Sequence, residues 1–153
     1  NVNIIASTRR RTRGMDDMVK FVPIDDIFDK SEIVIIALPL TNETRGLINH
    51  SHLERLKKTS VLVNIARAEV LDMMSLVAKI EDGSIAGVGI DVWTKEDDAA
   101  YKKLRNLPNT LLSPHRAGTD RSYGPHLRGV VENLNHYAVS GKLRYEVNHL
   151  TGY

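Results

Sequence analysis

Three side chains stand where apolar runs end: Arg67 after VLVNIA, Glu96 five residues beyond the aspartate of IAGVGID (Asp91), and His115 in LLSPH. An arginine fork can clamp a carboxylate through two parallel hydrogen bonds, and a histidine paired with a carboxylate can be held protonated near neutral pH. Together the three suit reduction of a keto acid. Arg67 would bind the substrate carboxylate and polarise its carbonyl, while His115, supported by Glu96, would give the proton as hydride arrives from a cofactor.

Residues this far apart must be gathered by the fold. Apolar strand candidates run over Val2 to Ser7, Ile33 to Leu38, Val61 to Ala66, Ile85 to Val92 and Thr110 to Ser113. Between them lie helical patterns: Asp25 to Lys30 with Ile24, Ile27 and Phe28 inward, and a short helix carrying Leu53 and Leu56 with Ser51 as its N-cap. Asp72 caps a helix bearing Met73, Leu76, Val77 and Ile80 on one face, stopped by Gly83. A short helical piece lies within Lys95 to Asn106. The last helix runs from about Arg121 to Ser140, with Leu127, Val130, Val131, Leu134 and Tyr137 on one side and Gly141 as its stop. Strand and helix alternate, and the strands are continuous apolar runs instead of alternating ones. This predicts an α/β fold, a doubly wound, Rossmann-like parallel sheet with helices on both faces, whose strands all end at one edge.

Composition bounds the function. The chain has 153 residues, suited to one domain, with 42% hydrophobic and 26% charged residues, which sets disordered and low-complexity classes aside. A net charge of +2 is too mild for wholesale nucleic-acid or membrane-surface binding. No apolar run nears the roughly 18 residues of a membrane span. Zero cysteines exclude a disulfide framework, a thiol nucleophile and thiolate metal sites, in keeping with a cytoplasmic location. The chain opens without methionine on a strand-like run, which predicts a fragment.

The segments LPLTNETRGLIN, VLVNIARAEVLD, IAGVGIDVW followed by Glu96, and LLSPHRAG occur in register, and together they closely resemble the D-isomer-specific 2-hydroxyacid dehydrogenases, of the glyoxylate/hydroxypyruvate reductase kind. The resemblance runs from the second strand of that family's nucleotide domain to its carboxyl end. It implies that Arg67, in N-x-A-R, binds substrate, that Glu96 pairs with the catalytic histidine, and that His115, in S-P-H, is that histidine. It implies that Asp91 meets the nicotinamide carboxamide and that Leu38 and Pro39 lie beside the cofactor, with Ala66, Arg67, His115, Ala117 and Gly118 lining the same site. By the same resemblance the first βα unit with its glycine-rich turn lies outside these residues. Residues 1–141 then form a partial NAD(P)-binding domain, and 142–153 a tail packing on a substrate domain. A homodimer joined through the nucleotide domain is implied as well. Two departures stand out: Ala68 where the family commonly has glycine, and Arg116 beside His115, a charge that would tend to lower the imidazole pKa.

In the NAD-preferring fold an acidic side chain ends the second strand and binds the adenosine ribose. Here Thr8, Arg9 and Arg10 occupy that place, with Arg11 and Arg13 beyond. Arginines can hold a 2′-phosphate, so NADP(H) is the expected cofactor, with NAD possible. The partner is a small 2-keto acid; neither nucleic acid nor a membrane is expected. The rival reading is a dinucleotide-sensing binding module of the co-repressor type. His50 and His52 lack a third ligand and predict no metal site, and His126, His136 and His149 read as solvated or locally packed. No G-x-S-x-G elbow accompanies His115, which sets a hydrolase aside. Trp93, Met73 and Met74 read as core or lining.

Overall fold

In the segments Ile33–Ile36 and Val61–Asn64 every second residue is buried, and that alternation sets the layout. The computed structural model describes residues 2–9, 19–116, 123–144 and 146. Strands β1 (Ile4–Ala6) and β2 (Val19–Phe21) form a parallel pair. Strands β3 (Ile33–Ile36), β4 (Val61–Asn64), β5 (Gly87–Ile90) and β6 (Thr110–Leu112) form a second sheet, parallel throughout and ordered β3-β4-β5-β6. Helices α1 (Ile24–Lys30), α2 (His50–Glu54), α3 (Met73–Glu81), α4 (Asp98–Leu104) and α5 (Tyr123–Ser140) alternate with the strands, with a 3-10 turn at Ala68–Val70. Strand β2 was not legible as one, because VKF is too short to display a period.

Register assigns the faces. Val34, Leu62 and Val88 form one cross-strand row and Ile36, Asn64 and Ile90 the next on the same side. Phe28 of α1, Leu53 of α2, Leu76, Val77 and Ile80 of α3, and Ala100 and Leu104 of α4 join that side in one buried cluster. The row on the opposite side, Ile35, Val63, Gly89 and Leu111, is largely open, with Ile35 61%, Leu111 73% and the neighbouring Ile33 64% exposed. The expected α/β, Rossmann-like parallel sheet is found, and among the described residues the buried cluster lies on one of its faces. A continuous apolar run carries no period-2 signal, so IVII cannot announce that only Val34 and Ile36 are buried. Likewise Leu127, Val130, Val131, Leu134 and Tyr137 of α5 stay more than half exposed instead of packing inward. Among the described residues no helix is long and apolar enough to cross a membrane.

Helix ends follow local chemistry. The α2 cap is Asn49, not Ser51: its Oδ1 accepts the Ser51 N–H at 3.0 Å, and the His52 ring returns toward the Asn49 N–H. Asp72 caps α3 as expected, accepting the Ser75 N–H at 3.0 Å and the Ser75 hydroxyl at 2.7 Å. Burial raises the Asp72 pKa, but the hydrogen bonds from Ser75 and Met74, with the charge of His50, outweigh it and leave the carboxyl below its ordinary value. Met73 is buried, whereas Met74 is half exposed and belongs to neither core nor lining.

Strands β5 and β6 meet where glycine is required. A Cβ on Gly87 would lie 2.9 Å from the Asn109 carbonyl oxygen, which already accepts the Val88 N–H at 3.0 Å. A Cβ on Gly89 would meet only Val63, at 3.5 Å. Gly87→Ala should thus lose about 1–3 kcal/mol in urea denaturation, through backbone displacement, whereas Gly89→Ala stays near wild type. Equal losses would contradict this account of the approach.

Candidate active site

The Arg67 turn is built on a buried carboxamide. Asn64 closes β4 at 0% exposure; its Oδ1 accepts the Ala66 N–H at 3.0 Å and its Nδ2 donates to the Arg67 carbonyl at 3.1 Å. A carboxamide can satisfy a donor and an acceptor at once, so the chain leaving the strand has its polar groups paired. Arg67 is extended at φ −144°, and Ala68 begins the 3-10 turn. The positive-φ non-glycine residues among those described are Asn109 and His115, so position 68 accommodates alanine without strain. The exposed Arg67 side chain donates from Nη1 to the Ala66 carbonyl at 2.6 Å.

The His115 turn rests on Asp91, which follows β5 and is 4% exposed. Asp91 Oδ1 accepts the Ser113 hydroxyl at 2.6 Å and the Arg116 N–H at 2.7 Å, and its carbonyl accepts the His115 N–H at 2.8 Å. His115 sits at φ 55°, a left-handed conformation that costs a non-glycine residue on the order of 1–3 kcal/mol. These hydrogen bonds on either side of it oppose the relaxation. The imidazole is exposed, as is the Arg116 side chain. Asp91 also donates its N–H to the Asn64 carbonyl at 3.1 Å, so the two anchors are joined across adjacent strands.

Glu96 lies in the connection between β5 and α4. There the Thr94 N–H and hydroxyl both donate to Asp97 Oδ2, at 2.9 and 2.8 Å. The exposed Glu96 carboxyl is held below its ordinary pKa first by its own backbone N–H and then by Thr94. Among the described residues it forms no ion pair with His115, so Arg67 and His115 are carried by joined turns while Glu96 is held by a separate one. Next to the His115 turn, Trp93, Thr94, Asp98, Tyr101, Leu112, Ser113 and Pro114 line a cleft of about 450 Å³. The Trp93 and Tyr101 rings meet edge to face at 4.7 Å, and Trp93 Nε1 is buried without a hydrogen-bond partner among the described residues. Trp93 is thus a lining residue.

At the end of β1, Arg9 forms an ion pair with Glu43. Arg10, Arg11, Arg13, Ala117 and Gly118 lie outside the described residues, as do the side chain of His126 and all of His149. Leu38 packs against the core, and the Pro39 carbonyl accepts the Thr44 hydroxyl at 2.6 Å; Thr41 and Thr44 are both buried. His50 lies 3.8 Å from Glu54, and the His52 ring shares the α2 cap with Asn49 at 3.0 Å, so both have local structural partners. Asn64, Ser113 and the Thr41/Thr44 pair were not singled out from the sequence. Their one signal is a polar residue at the end of an apolar strand.

Comparison with known proteins bears on the family and the fold. The profile described as "D-isomer specific 2-hydroxyacid dehydrogenase, NAD binding domain" matches residues 1–117. A glyoxylate reductase of Pyrococcus horikoshii is 38% identical over 117 residues, 75% of this chain and 35% of that protein. The D-isomer specific 2-hydroxyacid dehydrogenase of Xanthobacter autotrophicus Py2, solved with NADPH and MES, superposes with a TM-score of 0.83 at 29% identity, over 99% of this chain and 63% of that one. A D-isomer specific 2-hydroxyacid dehydrogenase from Lactobacillus delbrueckii ssp. bulgaricus in its NAD complexed form gives 0.82 at 25% identity, over 95% and 48%. The chain thus spans about a third of the curated relative it matches.

The Thr94 contact is open to measurement. Thr94→Val removes a hydrogen bond that favours the ionised carboxylate, so the Glu96 pKa, followed by NMR titration, should rise toward its ordinary value. An unmoved pKa would discard Thr94 as a determinant.

Proposed function

Because the chain belongs to the D-isomer specific 2-hydroxyacid dehydrogenase family, as part of its NAD binding domain, we propose that the protein transfers a hydride between NADP(H) and a small 2-keto or 2-hydroxy acid. The observation that carries this reading is the pair of joined turns bearing Arg67 and His115 at one sheet edge. Arg67 clamps the substrate carboxylate and draws electron density from the adjacent carbonyl. His115 gives a proton to the carbonyl oxygen in reduction and takes it back in oxidation. Glu96, whose carboxyl is held below its ordinary pKa by its own backbone and Thr94, is the proposed carboxylate partner of His115. Glyoxylate or hydroxypyruvate is the substrate proposed, the former supported by the name of the Pyrococcus relative.

The donor set fits a phosphorylated dinucleotide. Thr8 and Arg9 follow β1, with Arg10 next in the sequence; a 2′-phosphate would take the place of the Glu43 carboxylate on Arg9, and hydrogen bonds to such a charged group contribute about 1.5–3 kcal/mol each. Asp91 meets the nicotinamide carboxamide in this reading, with Leu38, Pro39 and Ala66 beside the cofactor; Ala117 and Gly118, expected with them, lie outside the described residues. The cofactor, when bound, supplies or accepts the hydride. The NADPH complex of the Xanthobacter protein and the NAD complex of the Lactobacillus protein support a nicotinamide dinucleotide as the cofactor, and the preference for NADP(H) rests on Thr8, Arg9 and Arg10. In this reading residues 1–141 belong to the nucleotide domain and 142–153 pack on the substrate domain. The protein is cytoplasmic, in keeping with its lack of cysteine, and dimeric through the nucleotide domain, for which the open apolar surfaces offer contact area.

The full-length protein, assayed with a panel of 2-keto acids, should oxidise NADPH with a higher kcat/KM than NADH. The reverse order overturns the cofactor preference. Tight NADPH binding with no oxidation by any acid returns the dinucleotide-sensing module instead. Arg67→Lys keeps the charge but loses the bidentate fork, so KM should rise about tenfold, near 1.4 kcal/mol, with kcat much less affected. Unchanged KM would remove the clamp.

A further inference from the structure

We infer that Asn64 is a positioning residue for the Arg67 clamp, an inference that rests on the reading of Arg67 as the carboxylate-binding group. Asn64 stands in a row with Ile36 and Ile90, in the middle of the sheet and out of contact with water. A carboxamide is costly there unless both of its halves are bonded. Both are, and both to the segment that follows: Oδ1 holds the Ala66 N–H and Nδ2 holds the Arg67 carbonyl. The Ala66 carbonyl in turn accepts from Arg67 Nη1, so the guanidinium leans on the residue that Asn64 fixes.

No other side chain reproduces this. Leucine fills the volume but orphans a buried donor and acceptor. Aspartate keeps the acceptor for Ala66 and sets a second acceptor against the Arg67 carbonyl, where a donor is required. A clamp that must present two parallel hydrogen bonds to a carboxylate is sensitive to displacements well under 1 Å, on the order of the tolerance of preorganised sites. Asn64 does not touch the reacting atoms, so its removal acts through Arg67. The effect falls on binding of the carboxylate, and not on proton transfer at His115, whose turn has its own anchor in Asp91.

The full-length protein tests this with Asn64→Asp, and with Asn64→Ser should the aspartate variant fail to fold. KM for the keto acid and Kd for oxalate, a non-reacting carboxylate, should each rise tenfold or more, while kcat at saturation and Kd for NADPH change less than threefold. In an Arg67→Ala background the same substitution should add nothing further to the oxalate Kd, because the group it positions is gone. Parallel loss of kcat, cofactor binding and substrate binding, or additive effects in the double variant, would assign Asn64 a merely structural part and overturn the inference. If wild type binds no oxalate, or Arg67→Ala leaves oxalate binding intact, the clamp reading itself has failed.

Discussion

The bond between the Asp91 N–H and the Asn64 carbonyl, 3.1 Å long, is the joint on which the functional edge depends. A parallel strand that ends in the interior leaves backbone donors and acceptors with no ladder partner, and each must be satisfied before the chain can turn. Here two buried polar side chains do so: Asn64 captures the backbone that follows its own strand, and Asp91, after β5, captures the backbone that follows β6. Because the two are bonded neighbours, the turns carrying Arg67 and His115 share one frame. Preorganisation of this kind fixes charged groups at a protein surface without sacrificing their exposure to ligand.

The third group is held differently. Glu96 draws its low pKa from its own backbone and Thr94, in a connection that also engages Asp97. Its ionisation is therefore a local property, independent of the imidazole. An acid whose charge is guaranteed locally can serve as a constant electrostatic background.

Much of the scaffold was legible in the residues. Helix α3 followed from Asp72, the spacing of Met73, Leu76, Val77 and Ile80, and Gly83 at φ 70°, since a single amphipathic face with a cap at each end admits few alternatives. The parallel sheet followed from uninterrupted apolar runs, but the same runs concealed that Ile33 and Ile35 face away from the core. The α2 cap was misassigned because Asn49 and Ser51 are both good caps by type, and only the geometry of two donors within reach of one oxygen separates them. Arg67 and His115 announced themselves by charge at strand ends. Asn64 did not, because a buried amide shows its purpose only once its two partners are in place.

The left-handed backbone at His115 also bears on which residues the position can hold. Glycine aside, the side chains that enter this region with any frequency are asparagine, aspartate and histidine. Of those three, histidine alone has an ordinary pKa between 5 and 8, about where a reversible proton carrier must lie. The turn thus works as a sieve: its dihedral angle narrows the alphabet to a short set before any demand of chemistry is made, and chemistry then selects one member. If His115 carries the proton as proposed, backbone shape and chemistry restrict the same site independently.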